Sequence, residues 1–306
     1  MAARARADLL PIAAALVAVV LWASAFVGIR SAAGPLGPGP LALLRLVVGS
    51  AVLGLLLLAR REGLPPTAAL RGIVVSGVLW FGVYNLALND AERHVDAGTA
   101  AMLVNVAPVL IAVLAGLFLG EGFPRRLLAG CAVAFAGAIV IGVATSHHGL
   151  RASTGALLCL IAAVAYAVAL VFQKPALQHA SALQVTWLAC TIGAVVCLPF
   201  APQLVHRLGT AHASAIGWAV YLGIGPTAIG FATWAYALAR TDAGRLGVST
   251  YLVPPLAIAF SWALLGQTPP LLALAGGALC LTGVAVTRTA RRPPRFRRPP
   301  AAQRAT

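Results

Sequence analysis
Apolar residues run in stretches of about twenty along almost the whole chain, and charged or helix-breaking residues interrupt them at regular intervals. A helix of that length crosses the hydrocarbon of a bilayer, which needs about 20 apolar residues. The pattern predicts ten such helices, near residues 9–29, 40–59, 69–89, 97–119, 126–144, 153–172, 183–201, 214–236, 246–265 and 269–287. The interruptions have physical causes. "GPLGPGP" is expected to end a helix, "RREGLPP" is charged and then kinked, and "EGFPRR" places Pro124 in a first helical turn.

The pattern is also written twice. At an offset of 146 residues, "VDAGTAAMLVNVAPVLIAVLAGLFLGE" lies over "TDAGRLGVSTYLVPPLAIAFSWALLGQ". Asp96-Ala97-Gly98 then matches Asp242-Ala243-Gly244, Pro108 matches Pro254, Gly130 matches Gly276 and Gly137 matches Gly283. An offset of 144 pairs Trp22 with Tyr166 and Arg30 with Lys174. Five helices per copy is an odd number, so the second copy enters the membrane from the opposite side. That is the inverted repeat of many secondary transporters, whose site lies near the midplane between halves. The expected organisation is an all-α integral membrane protein: an N-terminal segment 1–8, a first five-helix repeat 9–145, a second 146–287 and a basic tail 288–306. The N-terminal run ends in Ala23-Ser24-Ala25, which imitates a signal-peptide cleavage site. Cleavage there would remove the counterpart of the sixth span, so the first span is expected to stay.

These repeats resemble the EamA type of the drug/metabolite transporter superfamily. The resemblance rests on "LALLRLVVG" in the second span, on a span with a central proline in each unit, and on the L-G-E or near variant that closes that span. It covers residues 9–287 and implies a ten-span transporter of the bacterial plasma membrane that exports amino acids or other small metabolites. The chain departs from the pattern at Gln267, which stands where the second copy often has glutamate, opposite Glu121 in the first.

Composition agrees with the membrane reading: 60% of the 306 residues are hydrophobic and 9% are charged, against roughly 25% charged in soluble domains. The net charge of +15 comes largely from termini and loops, and it orients the chain. With the N-terminus inside, 17 Lys and Arg lie on inner segments and 4 on outer ones, so both termini are expected in the cytoplasm. The arginine-proline tail reads as an anchor near anionic lipid and not as a nucleic-acid arm. Expected partners are therefore a small-molecule substrate and membrane lipid, with a homodimer compatible and no nucleic acid. The five cysteines, all inside apolar runs, read as small hydrophobes.

No pair of carboxylates, histidine cluster or nucleophile–base arrangement falls within a span, so neither an enzyme nor a metal or cofactor site is expected. Glu121 and the Asp90/Glu92/Asp96 group sit at span ends, where they can titrate near an interface. The spans instead offer neutral polar and aromatic groups. Pro108 and Pro254–Pro255 are expected to free the carbonyls of Val104, Thr250 and Tyr251, near Asn105 and Ser249. Trp80, Tyr84 and Asn85 lie on the third span, with Phe81 and Asn89, and either line a cavity or bond to another helix. Trp22, Ser24 and Tyr166 add amphipathic surface, while Trp234 and Tyr236 suit an interfacial belt. Arg45, the one cation within a span, either snorkels outward or serves as a structural clamp on carbonyls, or else faces the pathway to meet a carboxylate. Gly116-x-x-x-Gly120 suggests close helix packing. The candidate substrate-binding set is thus Trp22, Ser24, Arg45, Trp80, Tyr84, Asn85, Asn105, Pro108, Tyr166, Thr250, Tyr251 and Pro254. A non-transporting membrane scaffold or sensor is the alternative reading.

Overall fold
The computed structural model describes residues 2–94, 104–145, 154–265 and 271–288, and among them every regular element is helical. Five helical rods make the first half: α1 (Ala2–Leu36), α2 (Pro38–Ala59), α3 (Thr67–His94), α4 (Ala107–Phe118) and α5 (Arg125–Thr145). The second half has α6 (Thr154–Ala176), α7 (Ala182–Val196), α8 (Ala213–Leu238), α9 (Ala243–Leu264) and α10 (Leu271–Arg288). Within α1, α2, α3, α6, α8 and α9 lie stretches long and apolar enough to cross a membrane. Their outer surfaces are apolar too: Leu58 of α2 is 74% exposed and Leu157 of α6 59%. Side chains of this kind face lipid and not water, so the protein is a multi-pass membrane protein.

Several boundaries differ from the sequence expectation. The break predicted across "GPLGPGP" shrinks to one residue, because Gly37 takes φ 85° and α2 resumes at Pro38. Glycine enters that left-handed region without a Cβ clash, and proline suits a first helical position. The seventh span stops at Val196, where a 3₁₀ turn leads into a separate amphipathic helix, Ala201–Leu208, bent by 50°. The stretch matching Asp96, and Gln267 with the tail 289–306, lie outside the described residues. Gly116-x-x-x-Gly120 does not join two helices: a Cβ on Gly116 would meet the Phe123 ring at 2.5 Å, and Gly120 has φ 66°. The motif serves the sharp exit from α4.

Two pairs of equivalent helices, α5 with α10 and α2 with α7, pack antiparallel. Gly137 of α5 sits on the backbone of Gly276 and Cys280 in α10, and Gly283 of α10 sits on Gly130 and Ala134 in α5. Cys280 donates its thiol to Ala134 O across the same seam, at 3.4 Å. In α2 and α7, Cys190 meets Leu46 O and Ser50 meets Thr191, while Gly54 faces Trp187. A Cβ on Gly283 would lie 2.4 Å from Ala134 N, and backbone cannot step aside. Gly283→Leu is expected to cost about 1–3 kcal/mol or more by overpacking. The check is a lowered unfolding midpoint in detergent, and an unchanged midpoint would contradict this packing.

Both halves also carry a wide-turn segment at the same repeat position. Residues Gly77–Tyr84 in α3 and Gly223–Gly230 in α8 are π-helical, and they lie 146 residues apart. Such segments leave backbone carbonyls without their regular donors and often mark functional sites.

Candidate functional site
The carbonyls loosened by the π segments are taken up by side chains that cluster in the centre. Trp22 Nε1 donates to Pro226 O at 3.1 Å. The Asn85 carboxamide donates to Trp80 O and Phe81 O, at 3.1 and 2.9 Å. Both side chains are thereby locked in place, and both line a cavity between the halves. Its floor is aromatic: Trp80 stacks on Tyr166 with ring centroids 4.6 Å apart, and Phe231 lies 4.8 Å from Trp80. Trp234 closes the floor from below, 4.8 Å from Trp22 and fully buried. That placement corrects its assignment to an interfacial belt. Rigid rings of this sort contribute contact area at small entropic cost.

Above the floor the walls are α1 at Ala25, Phe26 and Ile29, α3 at Tyr84 and Leu88, and the start of α4 at Pro108. Asn105, in the turn that precedes α4, also lines the cavity, and α9 contributes Thr250 and Val253. Arg45 projects from α2 into this space although it is only 5% exposed. Its Nε donates to Thr227 Oγ1 at 3.2 Å, in the second π segment. Gly49 and Gly223 allow that approach, since a Cβ on either would collide with Thr227 or Val48 within 2.7 Å. Of the roles open to Arg45, snorkelling is therefore not adopted. A guanidinium held this way is a preset donor for a carboxylate.

Nine of the twelve candidate residues line the cavity: Trp22, Arg45, Trp80, Tyr84, Asn85, Asn105, Pro108, Tyr166 and Thr250. Ser24, Tyr251 and Pro254 do not. Ser24 bonds to Leu21 O and to the Tyr221 hydroxyl. Tyr251 is fully buried against Ala112, Cys131 and Cys280, on the far side of α9. The expected free carbonyl at Thr250 is also corrected. Ser249–Leu252 winds into a 3₁₀ turn, in which Val253 N–H donates to Thr250 O. The tighter turn satisfies the backbone and shifts the helical phase by one residue, bringing Thr250 and not Tyr251 to the cavity. The Thr250 hydroxyl donates to Gly247 O. The Tyr166 hydroxyl faces the Thr250 side chain at the same point of the cavity wall. Phe231, Val253 and Leu88 were not anticipated, because an apolar residue in an apolar span carries no distinguishing signal.

A second polar centre lies at the opposite end of the molecule. Gly120 and Gly122, both at positive φ, project Glu121 across the boundary between halves. Its carboxylate accepts Ala243 N–H at 2.6 Å and Gly244 N–H at 2.9 Å, which are the first amides of α9. Lys174, from the end of α6, stands 3.6 Å from the same carboxylate and donates to Leu238 O and Thr241 O. An anion on two unpaired amides at a helix N-terminus is favourably placed. The result is a latch joining α4, α6 and α9.

Three comparisons bear on this arrangement. The model described as the EamA-like transporter family matches the sequence twice, over residues 9–143 and 153–289. A probable terminal-alkyne amino-acid exporter of Streptantibioticus cattleyicolor is 42% identical over 266 residues, covering 87% of this chain and 89% of the relative. A probable amino-acid metabolite efflux pump of Salmonella typhimurium is 28% identical over 280 residues, covering 88% and 92%. One crystal structure shares the fold with a TM-score of 0.73 and 22% identity, covering 90% of this chain and 95% of its own.

Proposed function
The chain belongs to the EamA-like transporter family, which it matches in both halves, and from that premise we propose that it exports a small amino-acid-like metabolite across the bacterial plasma membrane by alternating access. The observation that carries the substrate class is the cavity itself: a guanidinium at Arg45, carboxamides at Asn85 and Asn105, and an aromatic floor. Arg45 takes the substrate carboxylate, the carboxamides and the Tyr166 hydroxyl orient its polar head, and Trp22, Trp80 and Phe231 hold its side chain. The names of the Streptantibioticus and Salmonella relatives point the same way.

Ten spans in two inverted halves, with both termini cytoplasmic, complete the reading. The antiparallel seams of α5 with α10 and of α2 with α7 support the inversion. In that orientation the cavity occupies the outer half and the Glu121 latch the inner end, an outward-facing state. Opening the latch as the outer wall closes would expose the cavity to the cytoplasm. Reconstituted protein is expected to exchange radiolabelled amino acids or their analogues across proteoliposome membranes. Absence of exchange with a broad panel of them would overturn the reading.

A further inference from the structure
A second cavity opens at the latch end, where α3, α4 and α6 meet, and the transport path proposed above does not use it. Its volume is about 560 Å³, within the range of roughly 300–1,000 Å³ common to ligand pockets. Gly72 sets its back wall. A Cβ there would meet Phe172 O at 2.4 Å and the Ala176 methyl at 2.8 Å, so α3 closes directly on α6. The side walls are Leu114, Phe118 and Leu119 from α4 and its exit, and Val168, Val171 and Pro175 from α6. Ala68, Arg71, Phe118 and Pro175 are exposed, so the cavity is a groove open to the flank of the molecule, where lipid lies.

The groove is charged at one end only. Arg71, one turn into α3, is the one charged residue among its described lining, and its guanidinium lies over the Phe172 ring, 5.6 Å from the centroid. Arg71 forms no ion pair within 4.0 Å among the described residues. From Ala176 at that end to Val168, the α6 wall runs eight residue steps, about 12 Å at 1.5 Å each. That is most of one leaflet's hydrocarbon, which is half of about 30 Å. Such walls offer an amino-acid-like substrate no partner for its ammonium, and a free phosphate makes no use of them. An anionic head with an apolar tail suits both ends, and a guanidinium takes a phosphate through two parallel hydrogen bonds.

We propose that this groove binds one anionic phospholipid of the surrounding membrane, with its phosphate on Arg71 and an acyl chain between α4 and α6. In the orientation proposed above this end faces the cytoplasm, so the lipid belongs to the inner leaflet, whose surface is negative. Because α4 belongs to the first half and α6 to the second, the bound chain packs across the boundary between them. The walls end at Leu119 and Pro175, two residues from Glu121 and one from Lys174. Lipid in the groove therefore holds the two sides of the latch together and favours the latched state. By linkage, closing the latch raises the affinity for lipid by the same factor. That coupling rests on the alternating-access reading, whereas the lipid site does not.

The test is native mass spectrometry of the full-length protein in detergent, titrated with phosphatidylglycerol or with phosphatidylcholine of the same acyl chains. Wild type should retain one phosphatidylglycerol in a discrete step and prefer it about fivefold, as one basic residue near the membrane surface provides. Arg71→Gln should bind the two lipids alike. Ala68→Trp plugs the mouth from an exposed position and should abolish the one-lipid step; it stands in if Arg71→Gln fails to fold. An undiminished preference in Arg71→Gln, an intact step in Ala68→Trp, or graded retention of both lipids by wild type would overturn the site. Hydrogen exchange on the same samples tests the coupling: phosphatidylglycerol should raise protection at the Ala243 and Gly244 amides in wild type and not in Arg71→Gln. Unchanged protection in lipid-bound wild type would overturn the coupling. Neither measurement needs a substrate, so failure of the transport reading imitates neither result.

Discussion
Arg45→Ala should lower kcat/KM for export by at least about 30-fold, and by about a thousandfold if both guanidinium bonds to the substrate are lost. Removing one member of a buried, hydrogen-bonded charge pair costs roughly 2–5 kcal/mol, and each 1.4 kcal/mol is a factor of ten. The buried setting puts Arg45 at the high end, since little water competes with it. Arg45→Lys keeps the charge but not the planar fork, so activity should fall between the two. Thr227→Val removes the bond that aims the guanidinium and should cost less, about tenfold at most. The readout is initial transport rate against substrate concentration, with the unfolding midpoint as a control. Arg45→Ala transporting at wild-type rates would refute the placement of the carboxylate.

The second large effect belongs to the latch. Glu121→Ala deletes two charge-assisted hydrogen bonds to Ala243 and Gly244 and leaves Lys174 beside an empty place. Hydrogen bonds to charged groups contribute about 1.5–3 kcal/mol each. Their loss should shift the equilibrium between the two access states by about a hundredfold or more, away from the state described above. Net transport should fall by about tenfold or more. The affinity of the cavity should change far less, because Glu121 lies at the other end of the protein. Hydrogen exchange reads the change directly: the amides at Ala243 and Gly244 should lose protection, while those around Trp80 keep theirs. Full protection at both amides in the variant would show that the carboxylate is not what closes this end.

What could be read beforehand follows from how each signal is generated. A buried polar or aromatic side chain in an apolar span stands out by its chemistry, so Trp22, Asn85, Asn105 and Tyr166 were visible as candidates. The helical phase was less visible, because it depends on how the backbone resolves its own strain. An even 3.6-residue winding places Phe81, Asn85 and Asn89 on one stripe. The π segment widens the turn, so Trp80, Tyr84 and Leu88 come to the cavity at a spacing of four while Phe81 packs on Phe231 at 4.4 Å. The 3₁₀ turn at Ser249–Leu252 exchanges Thr250 for Tyr251 in the same manner. Glu121 illustrates the other limit. Its partners are backbone amides more than a hundred residues away, and no side-chain pattern reports an amide.

The glycine seam between α5 and α10 has a consequence for how such a chain came to exist. Gly137 seats on Cys280 and Gly276, and their counterparts Gly283, Ala134 and Gly130 repeat the contact with roles exchanged. That is the reciprocity of an isologous interface, in which one surface is complementary to itself. A single five-helix ancestor bearing this surface would pair with its own upside-down copy before any gene fusion. The two halves keep that shared surface while differing at the cavity, where the first carries Arg45 and Trp80 and the second adds Tyr166 and Phe231.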